Sequence, residues 1–145
     1  MGWRSRIMAG DAYLVVLVDT TVWIDFFGGR SEPHVAVLQR MIEDDGNLCV
    51  CGVILAEVLQ GIRSDADYRK TRDFFEPLIF LPMRKVTFVR AADLYRSLRK
   101  KGITIRKPID CMIASVAIEH DLLLLHNDRD FDQIAKHSKL RTPEF

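Results

Sequence analysis

Runs of apolar residues alternate with amphipathic stretches along most of the chain. Residues 13–18 are all apolar and rich in β-branched side chains, which predicts a central strand buried on both faces. Residues 122–125 predict a second buried strand, and residues 48–51 predict a short strand between them. Two prolines bracket the apolar run 78–81. We expect this run to form an exposed or edge strand, because proline cannot donate a hydrogen bond within a sheet.

Apolar residues at helical spacing fill the intervals between these runs. Thr20 and Thr21 are natural N-cap residues for a first helix that ends at Gly28 and Gly29. The other predicted helices lie around residues 35–42, at 53–63, 67–75, 89–101 and 109–120, and from Phe131 onward. Strands that alternate with helices predict a three-layer α/β/α fold. We expect a central, mostly parallel sheet of four to five strands.

The composition is that of an ordinary globular protein. The 145 residues are 48% hydrophobic and 28% charged, with no repeat and no linker-like tract, so we expect one domain over residues 1–145. Residues 1–12 precede the first strand and are predicted to be an extension. The three cysteines lack C-x-x-C spacing and are predicted to be reduced thiols of a cytoplasmic protein. The apolar runs are too short to predict a membrane span.

Charge is distributed unevenly although the net charge is only +1. Residues 63–107 hold 13 Lys and Arg against 5 Asp and Glu, and the rest of the chain holds 8 against 15. This split predicts an acidic centre with a basic flank suited to a polyanion. The predicted phosphate contacts are Arg63, Arg84, Arg106 and Lys107. The alternative is that these are ordinary solvated helix surfaces.

Four carboxylates fall at unusual positions in this pattern. Asp19 and Asp128 follow buried strands, and active sites of parallel sheets lie at the carboxyl ends of their strands. Asp110 and Glu57 fall on the apolar stripes of their helices, where neither stripe carries a Lys or Arg. A buried carboxylate needs a partner. A divalent cation would satisfy all four.

Each acid also has a purely structural interpretation. Asp19 could cap the helix that follows it. Asp110 could stabilise its helix because a negative charge near the N-terminus interacts favourably with the helix dipole. Glu57 could face solvent if the helix phase differs by one residue, and Asp128 could serve a turn in N-D-R-D. The four together are harder to explain in this way, because all are placed at one edge of the sheet.

Such a cluster suits phosphodiester hydrolysis with Mg²⁺ or Mn²⁺, since these hard cations prefer oxygen ligands. Zinc is disfavoured because the histidines form no H-x-x-x-H pair. The four histidines, which we expect in surface or loop positions with only His126 near the site, are His34, His120, His126 and His137. Thr20 or Thr21 could orient a bound water, or could simply cap the helix.

At these residues the chain resembles the PIN-domain nucleases, and among them the toxin ribonucleases of VapBC toxin–antitoxin pairs. The resemblance covers about residues 15 to 140. It rests on V-D-T-T-V-W-I-D at 18–25, I-L-A-E-V-L-Q-G at 54–61, I-D-C-M-I-A at 109–114 and H-N-D-R-D-F at 126–131. Each string alone is modest, whereas their order and spacing together are specific.

The resemblance implies that Asp19, Glu57, Asp110 and Asp128 bind the metal, with Asp130 as an auxiliary acid. It also implies cleavage of RNA, a homodimer and inhibition by a small antitoxin protein. Two features depart from the family pattern. His126 stands where relatives often have a small hydroxyl residue, and residues 1–12 precede a strand at which relatives usually begin.

Two other classes of function fit parts of the pattern. An α/β phosphatase with an aspartate nucleophile at Asp19 would want a second acid two residues later, where Thr21 stands. A non-catalytic RNA-binding or scaffold module of the same fold would have no reason to keep four carboxylates at one edge.

Overall fold

The structure is a computed structural model that describes residues 15–145. Its elements in chain order are β1 (Val16–Val18), α1 (Thr20–Phe27), α2 (Pro33–Glu43), β2 (Leu48–Cys51), α3 (Gly52–Gln60), α4 (Asp65–Phe75), β3 (Ile79–Leu81), α5 (Lys85–Lys100), α6 (Pro108–Glu119), β4 (Leu123–Leu125) and α7 (Arg129–Lys136). The predicted extension 1–12 and the first two residues of the predicted strand 13–18 lie outside the described residues.

The four strands form one sheet in the order β3-β2-β1-β4, and all neighbours are parallel. Leu17 pairs with Cys49 on one side and with Leu124 on the other. The predicted edge position of residues 78–81 is confirmed, because β2 is the one strand of residues 15–145 that pairs with β3. The expectation of a mostly parallel sheet of four to five strands is also confirmed.

The central strands are covered on both faces. Every residue of β1, β2 and β4 is buried, and successive residues of a strand point to opposite faces. Helices therefore lie on both sides of the sheet, which confirms the three-layer α/β/α prediction. No helix in residues 15–145 combines the length and apolarity needed to cross a membrane.

Several helix boundaries differ from the sequence prediction. The N-cap of α1 is Asp19, not Thr20 or Thr21, since the Asp19 side chain accepts from the Thr21 N–H. The helix α5 begins at Lys85, four residues before the predicted start. Its first turn is fixed by Thr87, whose Oγ1 accepts from the Arg84 N–H at 3.1 Å. The other shifts are the end of α3 at Gln60 and the starts of α4 at Asp65 and α7 at Arg129.

The topological switch point of the sheet lies between β1 and β4. From β1 the chain proceeds through α1 and α2 to β2 on one side, whereas β4 pairs with the other side of β1. The Asp19 N–H donates a 2.9 Å hydrogen bond to the Leu125 carbonyl, which ties the two strand ends together. In an open parallel sheet, ligands bind where neighbouring connections diverge in this way.

Candidate active site

Asp19 occupies the position directly after β1 and is 3% exposed. Its Oδ2 accepts hydrogen bonds from the Thr21 hydroxyl at 2.7 Å and from the Thr21 N–H at 3.3 Å. Burial raises the pKa of this carboxyl, while the hydrogen bonds from Thr21 lower it and the charge of Glu57 raises it further. Asp19 therefore caps α1, as one interpretation of the sequence suggested, and is also a buried acid that interacts with Glu57.

Glu57 lies half-buried on α3 and accepts a 2.7 Å hydrogen bond from the Thr20 hydroxyl. Thr20 and Thr21 thus each bind one acid, so two consecutive residues of α1 orient two carboxylates from different elements. The sequence predicted either helix capping or water positioning for these hydroxyls. In the structure their partners are carboxylates.

Asp110 is the third residue of α6 and is 3% exposed. Its Oδ2 is buried and has no hydrogen-bond partner among residues 15–145. Burial raises the pKa of Asp110 to about 7; Lys107 lowers it, and the charges of Asp19, Asp128 and Asp130 raise it. An acceptor left unpaired in such surroundings is costly unless a cation or a proton is supplied.

Asp128 and Asp130 complete the cluster from the start of α7. Asp128 caps this helix, and its Oδ1 accepts from the Asp130 N–H at 2.9 Å. One carboxylate oxygen from each of Asp110, Asp128 and Asp130 lies within 4.8 Å of the other two. This grouping includes Asp130, predicted only as an auxiliary acid, and does not include the predicted ligands Asp19 and Glu57.

Two basic residues of the loop before α6 already contact these acids. The Arg106 guanidinium lies 3.3 Å from both Asp128 Oδ1 and Asp130 Oδ2, and the Lys107 ammonium lies 3.5 Å from Asp128 Oδ2. The Arg106 N–H also donates to Asp130 at 3.2 Å. The sequence predicted Arg106 and Lys107 as phosphate contacts and did not predict these pairs. The sequence carries no local signal for the Arg106 pairs, because Arg106 precedes Asp128 and Asp130 by 22 and 24 positions.

The other two predicted phosphate contacts lie elsewhere. Arg84 pairs with Glu119 at 3.8 Å, at the opposite end of α6 from Asp110. Nine residues of helix separate Asp110 from Glu119, which corresponds to roughly 13 Å. Arg63 is exposed in the loop after α3. The structure does not bring these two arginines to the acids, and their role in RNA binding stays a prediction.

Two of the four histidines are more buried than expected, whereas His120 and His137 are exposed as predicted. The His126 side chain is 8% exposed, and its Nδ1 accepts from the Asp128 N–H at 3.1 Å. Burial lowers the pKa of His126, so the ring is neutral near pH 7 and helps to set the backbone that carries Asp128. The prediction of a surface or loop position is wrong for His34, which is buried on α2 with Nε2 at 2.7 Å from Asp25 Oδ2.

This donor set fits a hard divalent cation. Asp110, Asp128 and Asp130 offer oxygen ligands, and the unpaired Asp110 oxygen is an acceptor that a cation would satisfy. Within residues 15–145, no comparable grouping includes a histidine or cysteine. The chemistry of the site thus agrees with the oxygen-only ligand set deduced from the sequence.

Comparisons with known proteins lead to the same family. The model of the PIN domain family matches residues 16–137. VapC ribonuclease Mb1587 of Mycobacterium bovis is 30% identical over 133 residues, which cover 90% of this chain and 99% of that protein. Ribonuclease VapC11 of Mycobacterium tuberculosis shows the same identity and coverage.

Solved structures share the fold. VapBC2 from Rickettsia felis, bound to a promoter DNA fragment, gives a TM-score of 0.71 at 19% identity and covers 89% of this chain and 97% of that chain. Mycobacterium tuberculosis VapC20, a sarcin-ricin loop cleaving toxin, gives a TM-score of 0.57 at 14% identity, with 81% and 92% covered. The chain therefore belongs to the PIN domain family, in which VapC ribonucleases are its relatives.

Proposed function

We propose that the chain is an endoribonuclease that hydrolyses RNA phosphodiester bonds with Mg²⁺ or Mn²⁺ at the carboxylate cluster. The observation that carries this proposal is the grouping of Asp110, Asp128 and Asp130 within 4.8 Å, in which Asp110 also has a buried oxygen without a hydrogen-bond partner among residues 15–145. The similarity to VapC ribonucleases over 99% of their length supports RNA as the substrate.

Asp110, Asp128 and Asp130 would hold the metal, and Asp19 and Glu57 would offer further oxygen ligands beside them. When bound, such a cation lowers the pKa of an attacking water and neutralises charge on phosphate. Other residues of the chain hold the carboxylates of this site in fixed orientations. Thr20 and Thr21 fix the carboxylates of Glu57 and Asp19, and each does so through a 2.7 Å hydrogen bond.

Arg106 and Lys107 have two roles in this proposal. Without RNA they offset the charge of Asp128 and Asp130, which they contact at 3.3 to 3.5 Å. Their side chains are 72% and 50% exposed, so they can exchange a carboxylate for an RNA phosphate once a cation neutralises the acids. The positive charge would then stay beside the reacting phosphate.

The biological role that we propose is that of the toxin of a type II toxin–antitoxin pair in the cytoplasm, inhibited by a small antitoxin protein. Related folds include VapBC-5 of Mycobacterium tuberculosis, from the VapBC family of toxin–antitoxin systems. An apolar cavity of about 510 Å³ lies between α1, α3 and α4, lined in part by Ile24, Phe27, Val58 and Phe74. Such a groove suits the apolar face of a partner helix.

A homodimer is the second assembly that we propose. Five large apolar side chains are exposed on β3 and the first turn of α5, namely Ile79, Phe80, Val86, Phe88 and Val89. Exposed apolar side chains in such number on two successive elements suit a contact with another protein surface. Light scattering coupled to size exclusion should give a dimer mass for the free protein, and Phe80→Glu should shift it toward the monomer.

Cleavage of labelled cellular RNA by purified protein tests the main proposal. We expect cleavage with Mn²⁺ or Mg²⁺, none in EDTA, and none by Asp110→Asn. Asp73→Asn is the matched control, since this acid is exposed on α4 away from the cluster. Activity that persists in EDTA would refute the metal mechanism. Failure of the wild-type protein to cut any RNA while it still binds RNA would support a non-catalytic scaffold module.

A further inference from the structure

Two cavities lie on either side of the short segment 127–129, directly beside the acidic cluster. One, of about 510 Å³, lies between this segment and residues 142–145. The other, of about 520 Å³, is lined by Arg106 and Asp130 as well as by residues 127–129. Both volumes are typical of sites for small ligands, which span roughly 300–1,000 Å³. Asp128 lines both cavities. When an RNA phosphate lies at the acidic cluster, the nucleotide groups next to that phosphate can therefore enter either cavity.

The cavity beside residues 142–145 is unsuited to phosphate. Its charged lining consists of one cation, Arg129, and three carboxylates, those of Asp128, Asp132 and Glu144. His126 also lines it, with its Nδ1 engaged by the Asp128 N–H at 3.1 Å. A second phosphate would meet net repulsion here. An uncharged ligand that donates N–H groups would instead find carboxylate acceptors.

The same cavity is lined by side chains of the kinds that bind unpaired bases in other proteins. Phe145 lines it and is 46% exposed, which leaves a ring available for stacking. Asn127 lines it with an exposed amide that both donates and accepts hydrogen bonds. Proteins that read single-stranded RNA combine aromatic stacking with hydrogen bonds to the base edges.

We propose that this cavity, formed by residues 126–129, Asp132 and 142–145, is a subsite for an unpaired nucleobase of the RNA beside the cleaved phosphate. The base it favours is guanine, whose Watson–Crick edge presents two adjacent N–H donors to a carboxylate. Phe145 stacks on the base, and Glu144 accepts from its edge. This inference rests on the proposed function and names the part of the substrate that the site recognises.

Binding of short single-stranded oligouridines that carry one guanosine, one inosine or neither tests the subsite. Fluorescence anisotropy is measured with the Asp19→Asn protein in Mg²⁺, so that cleavage does not interfere. We expect the guanosine oligomer to bind most tightly. The inosine oligomer should bind more weakly because it lacks the 2-amino donor. Phe145→Ala should weaken binding of the guanosine oligomer roughly tenfold.

Two variants separate stacking from edge recognition. Glu144→Gln should remove the preference for guanosine over inosine, while Phe145→Trp should retain binding of both. Tyr68→Ala, which removes an exposed aromatic side chain from α4, is the control and should leave all affinities unchanged. In the cleavage assay, Phe145→Ala should raise KM and leave kcat unchanged.

Equal affinities of the Asp19→Asn protein for the three oligomers would overturn the proposal. Undiminished binding of the guanosine oligomer by Phe145→Ala would do the same, because stacking on Phe145 is part of the proposed subsite. If the wild-type protein cleaves no RNA but the Asp19→Asn protein still prefers guanosine, the nuclease proposal fails and the base subsite stands.

Discussion

Thr20 Oγ1 donates a 2.7 Å hydrogen bond to Glu57 Oε1, which fastens the first turn of α1 to α3. Thr20 is 7% exposed, so little water can replace this bond if it is lost. We expect Thr20→Val, which keeps the shape of the side chain, to lower the cleavage rate by about 10-fold or more, as does loss of other residues that orient metal ligands. Thr20→Ser should restore the rate.

Circular dichroism and thermal unfolding of Thr20→Val and Thr20→Ser provide the control, because a fold defect would lower activity for another reason. Full cleavage activity of Thr20→Val with a native melting curve would show that the orientation of Glu57 is unimportant.

Asp110 makes the stability of the metal-free protein depend on pH. Its pKa is about 7 in the folded protein against 3.8 as the ordinary value, so the folded state binds more protons between these two pH values. The free energy of unfolding should therefore fall as pH rises through this window. Asp110→Asn removes this dependence and should be more stable than wild type by roughly 1–3 kcal/mol at mildly alkaline pH.

Urea unfolding in EDTA across the pH range measures this difference. Asp73→Asn, at an exposed position, should follow the wild-type curve. Addition of Mg²⁺ should stabilise wild type and leave Asp110→Asn nearly unchanged, since a ligand stabilises the state that binds it. A lower stability of Asp110→Asn than of wild type at alkaline pH would contradict the view that the buried negative charge of Asp110 destabilises the metal-free protein.

Arg106 and Lys107 should contribute to RNA binding through phosphate contacts. Each neutral variant, Arg106→Gln or Lys107→Gln, should weaken binding and reduce the slope of log affinity against log salt by about 0.7 for single-stranded RNA. The same substitutions of Arg63 and Arg84 provide a comparison. We expect smaller effects there, because Arg84 is paired with Glu119 at the far end of α6. Unchanged slopes for Arg106→Gln and Lys107→Gln would remove them from the phosphate path.

The three cysteines should resist thiol reagents in the folded protein. Burial raises the pKa of Cys49 to about 12 and that of Cys111 to about 11, and it raises the pKa of Cys51 as well. Since the thiolate is the reactive form, Ellman's reagent should label them only after unfolding. Rapid labelling in the absence of denaturant would show that the described core opens readily.

Much of the fold follows from short-range pattern. The apolar runs at residues 48–51 and 122–125 predicted β2 and β4 because strands buried on both faces need no alternation. Helix starts were less predictable. The first turn of α5 depends on the Thr87 hydroxyl, which also donates to Glu119 on α6, and such a contact between distant residues leaves no local signal.

The acids were predictable because a carboxylate on an apolar stripe or at a strand end is conspicuous. Their grouping was not. Asp130 joins Asp110 and Asp128 because the Asp128 cap turns the chain into α7 there, and Arg106 reaches both acids from a loop 22 and 24 positions away. The periodicity of apolar residues does not show which side chains from distant parts of the chain come into contact. The sequence therefore predicted which residues belong to the site better than it predicted the hydrogen bonds and ion pairs among them.

The hydrogen bond from the Asp19 N–H to the Leu125 carbonyl has a consequence for synthesis. It joins residues more than a hundred positions apart, so the pairing of β1 with β4 cannot form until β4 has been synthesised. Pairings of such high sequence separation form late in folding, because the entropy of closing a long loop opposes them. A growing chain on the ribosome therefore holds Asp19 without the carboxylates of Asp128 and Asp130 until nearly all of the described chain has emerged. The acidic cluster consequently assembles only after residue 130 has been synthesised.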